Sequence, residues 1–339
     1  MRTTTIIYWL LVAAGALAAV LTGTELPLGD RHPVPEQALA GLLPLPAVLA
    51  VVAVLGLVLA GTAALVDVAQ GRTAGRVLLV GGSAALLLTL TVVSVELLAA
   101  LGYLPLALVM APFHAGMRES FLAAVDAGLL VQLAVVAGVV LWGAALRRRL
   151  RMSTLVLPGW ARPEAAARWG RVAVAVAVVP PLVYALTRFA WLVYPLGFDR
   201  AAWEDGRATG ALLPGVWLGT FAVLGAVLTV GLVRPWGEVF PRWVPRLAGR
   251  RVPVPLAVVP AAFVAVVLVP SGVSMIRQVL ARSAEIDFIA DCAAFGPTFL
   301  WPLWGLALGA ATLAYALRRR DELAEVQGGQ PATHGSPNV

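Results

Sequence analysis

R-P-W-G-E-V-F-P-R-W-V-P-R-L-A-G-R-R-V-P, residues 234–253, is followed directly by V-P-L-A-V-V-P-A-A-F-V-A-V-V-L-V-P-S-G-V-S-M-I, residues 254–276. The second run carries no charge, and neither does the apolar run 213–233 that precedes the first. About 20 apolar residues at ~1.5 Å each are long enough to cross the hydrocarbon of a bilayer as a helix. A segment holding five arginines and four prolines is not. The boundary at 233/234 and 253/254 is therefore read as an inner loop between two membrane spans.

Working outward, six further stretches meet the same criterion: about 4–21, 44–66, 77–101, 129–146, 172–195 and 297–317. The expected fold class is an all-α, polytopic transmembrane helix bundle of about eight spans. Composition agrees. Hydrophobic residues make up 60% of the 339, only 13% are charged, and mean hydropathy is +0.88, which excludes an ordinary soluble domain. The net charge of +7 lies in short loops and forms no basic face, so no nucleic-acid partner is expected. Membrane lipid is the expected partner, with a cytoplasmic or membrane protein partner as a further expectation.

Orientation follows from the arginines, which are retained on the cytoplasmic side when they lie in short loops. With the N-terminus inside, 18 of the 25 basic residues fall on inner segments and six on outer ones. Both termini are thus expected in the cytoplasm. Similarities at an offset of about 170 residues suggest a four-plus-four tandem repeat: Leu42-Leu43-Pro44 with Leu212-Leu213-Pro214, Pro27-Leu28-Gly29-Asp30 with Pro195-Leu196-Gly197, and Arg147-Arg148-Arg149 with Arg318-Arg319-Arg320. The organisation expected is a first half over 1–149, a basic cytoplasmic linker over 150–171, a second half over 172–320 and a disordered cytoplasmic tail over 321–339. The competing reading of the repeat is chance similarity in a sequence of few letters.

Glu96 and Arg188 are ionisable residues inside apolar spans, at comparable depth near the outer interface. An ion pair between them, facing the bundle interior, is the sharpest candidate binding site, because charge at that depth is costly and often functional. The alternative places Arg188 among headgroups, with Phe189, Trp191 and Tyr194 in an interfacial aromatic belt. In the inner loop, Arg234, Trp236, Arg242 and Trp243 are candidates for contact with anionic lipid or a partner. Glu285, Asp287 and Asp291 place three carboxylates within seven residues, the nearest approach to a hard-cation site. Their spacing matches no EF-hand, a solvated acidic loop is the competing reading, and no metal is assigned.

No H-E-x-x-H, G-x-S-x-G or Walker A pattern occurs. His114 with Glu119 is the nearest acid–base couple. Three histidines do not supply the paired axial ligands of a membrane haem protein, so no cofactor is expected, and a single cysteine, Cys292, excludes an internal disulfide. The expectation is a non-enzymatic membrane protein that binds lipid or a partner, with a small-solute or proton-coupled transporter as the alternative.

The phrases A-L-T-R-F-A-W-L-V-Y-P-L-G-F at 185–198, G-L-V-R-P-W-G-E-V-F-P-R-W-V-P at 231–245 and L-W-P-L-W-G at 300–305 resemble a family of actinobacterial multi-pass membrane proteins of unknown function. That resemblance covers roughly the second half, 169–320. It implies a bacterial cell membrane location and about eight spans, and it brings no activity with it.

Overall fold

The structure is a computed structural model. It describes residues 2–22, 38–152 apart from 67, 70 and several positions between 111 and 124, 159–281 apart from 198, and 292–319. Glu285, Asp287, Asp291, His114 and the tail over 321–339 lie outside the described residues. So does the Pro27-Leu28-Gly29-Asp30 member of the repeat.

Ten helices of ten or more residues are described: α1 (Arg2–Thr22), α2 (Leu45–Leu65), α3 (Gly71–Val92), α4 (Val95–Met110), α5 (Ala127–Met152), α6 (Pro163–Ala190), α7 (Arg200–Thr209), α8 (Leu213–Gly231), α9 (Val254–Ala281) and α10 (Trp301–Arg318). A 3₁₀ segment, Gly296–Leu300, leads into α10. Eight helices are long and apolar enough to cross a membrane; α4 and α7 are not among them. No strand is present among the described residues, and the one local β-bridge joins Val239 to Arg251. The chain is an all-α, multi-pass membrane protein by length and composition of its helices. Its outward-facing side chains are apolar, among them Leu11, Leu79, Leu86, Leu186 and Leu306, as a lipid-facing surface requires.

Two departures from the sequence reading matter. The expected third span over 77–101 is broken: α3 stops at Val92 and α4 starts at Val95. The run Thr91-Val92-Val93 is β-branched and weakens the helix, and Ser94 then caps a new one, its hydroxyl accepting from the Glu96 amide at 3.2 Å. The basic segment 150–171 is also helical at both ends, since α5 runs on to Met152 and α6 starts at Pro163, a residue suited to the first turn.

In each half the first span packs on the second and the fourth, and the third packs on the fourth. Small residues permit the close approaches. A Cβ on Gly305 of α10 would stand 2.9 Å from the Ala265 carbonyl oxygen of α9, so these two helices meet backbone to backbone. Trp9, Leu59, Leu88 and Val92 centre the core of the first half; Ala177, Leu268, Ala311 and Tyr315 centre that of the second. A third cluster, Val93, Leu97, Leu129, Val136 and Val267, draws on both halves. It lies where the third spans α3 and α9 meet, and α4 extends from that seam to α8.

Candidate functional site

The helix break sits on the seam between the halves, and its polar groups answer one another. Ser94 donates its backbone N–H to Gln132 Oε1 at 2.8 Å, and its hydroxyl lies 3.3 Å from the same oxygen. Its carbonyl accepts from the Ser271 hydroxyl of α9 at 3.0 Å. Ser94, Gln132 and Ser271 are each 0% exposed. Because a backbone N–H can only donate, Oε1 must be the atom that faces Ser94, and this fixes the Gln132 amide. Nε2 is then a buried donor with no hydrogen-bond partner. Such a group costs roughly 1–3 kcal/mol unless an acceptor reaches it.

Glu96, in the first turn of α4, is the acidic side chain of this cluster. It is half-buried, and its carboxylate is acted on by the Ser94 and Gln132 side chains and by the charge of Asp126 at the head of α5. Asp126 Oδ1 caps α5 by accepting from the Leu129 amide at 2.9 Å.

Arg188 does not join this cluster, and among the described residues no ion pair links it to Glu96. It lies near the end of α6 and is 6% exposed, so it does not reach out to headgroups. Its guanidinium carbon stands 4.4 Å from the centre of the Tyr184 ring and 4.1 Å from that of Trp191. Its edge faces backbone: Nη2 donates to the Ala294 carbonyl at 2.9 Å, with Nη1 at 3.4 Å from that of Ala293. Rings cover its faces and carbonyls its edge, the arrangement of a clamp. Trp191 is correspondingly buried, unlike the belt residue expected of it, whereas Tyr194 is exposed.

The clamped segment is held from its other side by Gly197, whose φ of +77° is a left-handed conformation suited to glycine. A Cβ there would fall 2.8 Å from the Ala294 amide nitrogen. What connects the two charged sites is α4 itself. Tyr103, seven residues and two turns beyond Glu96, lies on the same helix face and feels Tyr184 and Arg188. Sequence reading passed over Ser94, Gln132 and Tyr103. The Ser94-Val95-Glu96 capping pattern after a β-branched run was the available signal for the first.

At the arginine-rich end of the bundle, residues 234–253 form an ordered loop. Phe240 N–H donates to the Arg250 carbonyl and Val252 N–H to the Glu238 carbonyl, at 2.9 and 2.8 Å. Three groups of α10 hold it in place. Tyr315 Oη donates to the Gly237 carbonyl at 2.7 Å, Arg318 Nη1 pairs with Glu238 at 3.0 Å, and Arg318 Nη2 donates to the Leu232 carbonyl. Trp236 turns inward onto Gly231, where a Cβ would lie 2.5 Å from the indole, so it anchors the loop to α8. Arg234, Arg242, Arg246, Arg250 and Arg251 are exposed, and Trp243 is 81% exposed.

No family model, no curated protein and no solved structure matches the chain.

Proposed function

We propose that the chain is a non-enzymatic polytopic membrane protein that binds anionic lipid headgroups through its 234–253 loop. The observation that carries this reading is the loop's pre-organised surface. Five arginines and Trp243 face outward from a loop pinned to α10, and its one acidic residue, Glu238, is neutralised by Arg318. Each arginine near an anionic surface contributes about 1 kcal/mol, and an exposed tryptophan suits the interface. Order in the loop lowers the entropy lost on contact. In this reading the loop faces the cytoplasm, as the arginine distribution requires.

The test is lipid retention. Full-length protein released from membranes of mixed zwitterionic and anionic phospholipid is analysed by native mass spectrometry. The wild type is expected to retain anionic lipid, and an Arg242→Ala/Arg246→Ala/Arg250→Ala variant to lose most of it. Equal retention by both refutes the reading. Labelling of Trp243→Cys in a Cys292→Ala background, in intact cells, tests the side: labelling by an impermeant reagent from outside overturns the orientation.

A second reading, a small-solute or proton-coupled transporter, is favoured by the α3/α4 break, since discontinuous helices line substrate sites in several transporter folds. Its site would centre on Glu96, with Arg188 of α6 acting on Tyr103, two turns along α4. Uptake or proton flux in liposomes that is lost in Glu96→Gln supports this reading; flux unchanged by that substitution removes it.

A further inference from the structure

Arg246 differs from the other arginines of the 234–253 loop in its backbone. We infer that Arg246 is the phosphate-binding residue of the loop, its guanidinium gripping the phosphate of one anionic phospholipid as a fork; this rests on the lipid-binding reading and gives it a residue and a geometry.

The tip of the loop is closed at its neck by Phe240, whose N–H donates to the Arg250 carbonyl and whose carbonyl accepts from the Gly249 N–H, both at 2.9 Å. Three turns follow one another inside that neck. Val244 N–H donates to the Pro241 carbonyl at 3.0 Å, which puts Arg242 and Trp243 at the first corner. Leu247 N–H lies 3.4 Å from the Val244 carbonyl, which puts Pro245 and Arg246 at the second. Arg246 has a φ of 65°, the one positive φ of a non-glycine residue among the described residues. That third position of a turn suits glycine or asparagine, because a Cβ in the left-handed conformation crowds the following carbonyl. The next turn, closed by Arg250 N–H on the Leu247 carbonyl at 2.9 Å, has Gly249 at the same position with a φ of 73°.

Nothing within the protein offsets the strain at Arg246. The residue is exposed, and among the described residues no hydrogen bond, ion pair or ring contact holds its side chain. Attraction to a charged surface does not call for the strain either, since a charge acts over a Debye length of about 8 Å whatever its backbone conformation. A directional contact does. An arginine fixed at a corner aims its planar guanidinium, which can then meet two phosphate oxygens at once. The occupant is an anion because residues 239–253 contain no carboxylate. It is a lipid because Trp243, 81% exposed at the adjacent corner, is suited to the membrane interface.

The experiment adds short-chain phosphatidylglycerol to the full-length protein in detergent and reads the bound fraction by native mass spectrometry, beside thermal unfolding of the same samples. Arg246→Gly is expected to unfold no lower than wild type, since the turn is relieved, and to bind about tenfold more weakly through loss of a charge-assisted pair. Arg246→Lys, which keeps the charge without the fork, should also bind about three- to tenfold more weakly, whereas Arg242→Lys stays within about twofold of wild type. Equal weakening by Arg246→Gly and Arg242→Gly shows diffuse charge alone and overturns the proposal. So does wild-type binding by Arg246→Lys, or an Arg246→Gly variant that unfolds lower than wild type. Displacement of the lipid by an equal concentration of glycerol phosphate assigns the fork to a soluble phosphate and overturns the lipid occupant. In all of these the wild type still binds phosphatidylglycerol; a wild type that binds none removes the lipid-binding reading and this inference with it.

Discussion

Replacing Arg188 by leucine removes a buried cation and leaves the carbonyls of Ala293 and Ala294 without their donors. One of the two bonds is of full strength and the other is long. A charge-assisted bond is worth about 1.5–3 kcal/mol and each ring contact about 0.5–2 kcal/mol. Relief from burying the guanidinium offsets part of that sum, leaving a net loss of about 3 kcal/mol. Arg188→Lys keeps the charge but has no planar fork to lie between two rings and reach two carbonyls, so it should cost about 1–2 kcal/mol. The assay is SDS-driven unfolding of the full chain in mixed micelles, followed by tryptophan fluorescence. A double-mutant cycle with Glu96→Gln is the sharper half of the test. If Arg188 is a clamp, the two changes add to within about 0.5 kcal/mol. An Arg188→Leu variant as stable as wild type refutes the clamp, and coupling well above that limit would show that Arg188 and Glu96 act directly on one another.

Further outcomes follow from packing and hydrogen bonding. Gly272→Ala drives a methyl to 2.4 Å from the ring of Pro302 and should destabilise by about 1–3 kcal/mol, whereas Gly15→Ala meets nothing within 4 Å and should be neutral or gain up to about 1 kcal/mol; thermal unfolding in detergent compares them. Trp142→Phe loses the 3.0 Å bond from Nε1 to the Thr62 hydroxyl and should cost about 0.5–1.5 kcal/mol in the same assay.

The spans were legible because a helix in hydrocarbon needs only a long enough run of apolar residues, and eight such runs are present. The same criterion concealed the break. Residues 77–110 hold little charge, so averaging carries the apolar signal straight through Val93-Ser94-Val95, and only the cap at Ser94 marks the stop. Depth along the spans placed Glu96 and Arg188 near one level but gave no information about which face each occupies. The partners of Arg188 were not legible at all, since two of them are backbone carbonyls 105 and 106 residues away. A carbonyl has no residue identity for a sequence to announce. In the loop 234–253, composition marked both tryptophans as alike. Gly231, five residues before Trp236, makes room for that ring alone and leaves Trp243 facing out.

Ser94 holds its N–H to α5 and its carbonyl to α9, and all three side chains at these bonds, Ser94, Gln132 and Ser271, are fully buried. Sliding one half past the other along the membrane normal would break at least one of these bonds in a dry interior. The two bonds of Ser94 therefore act as a rivet, tying α5 and α9 to the break between α3 and α4 at one buried point.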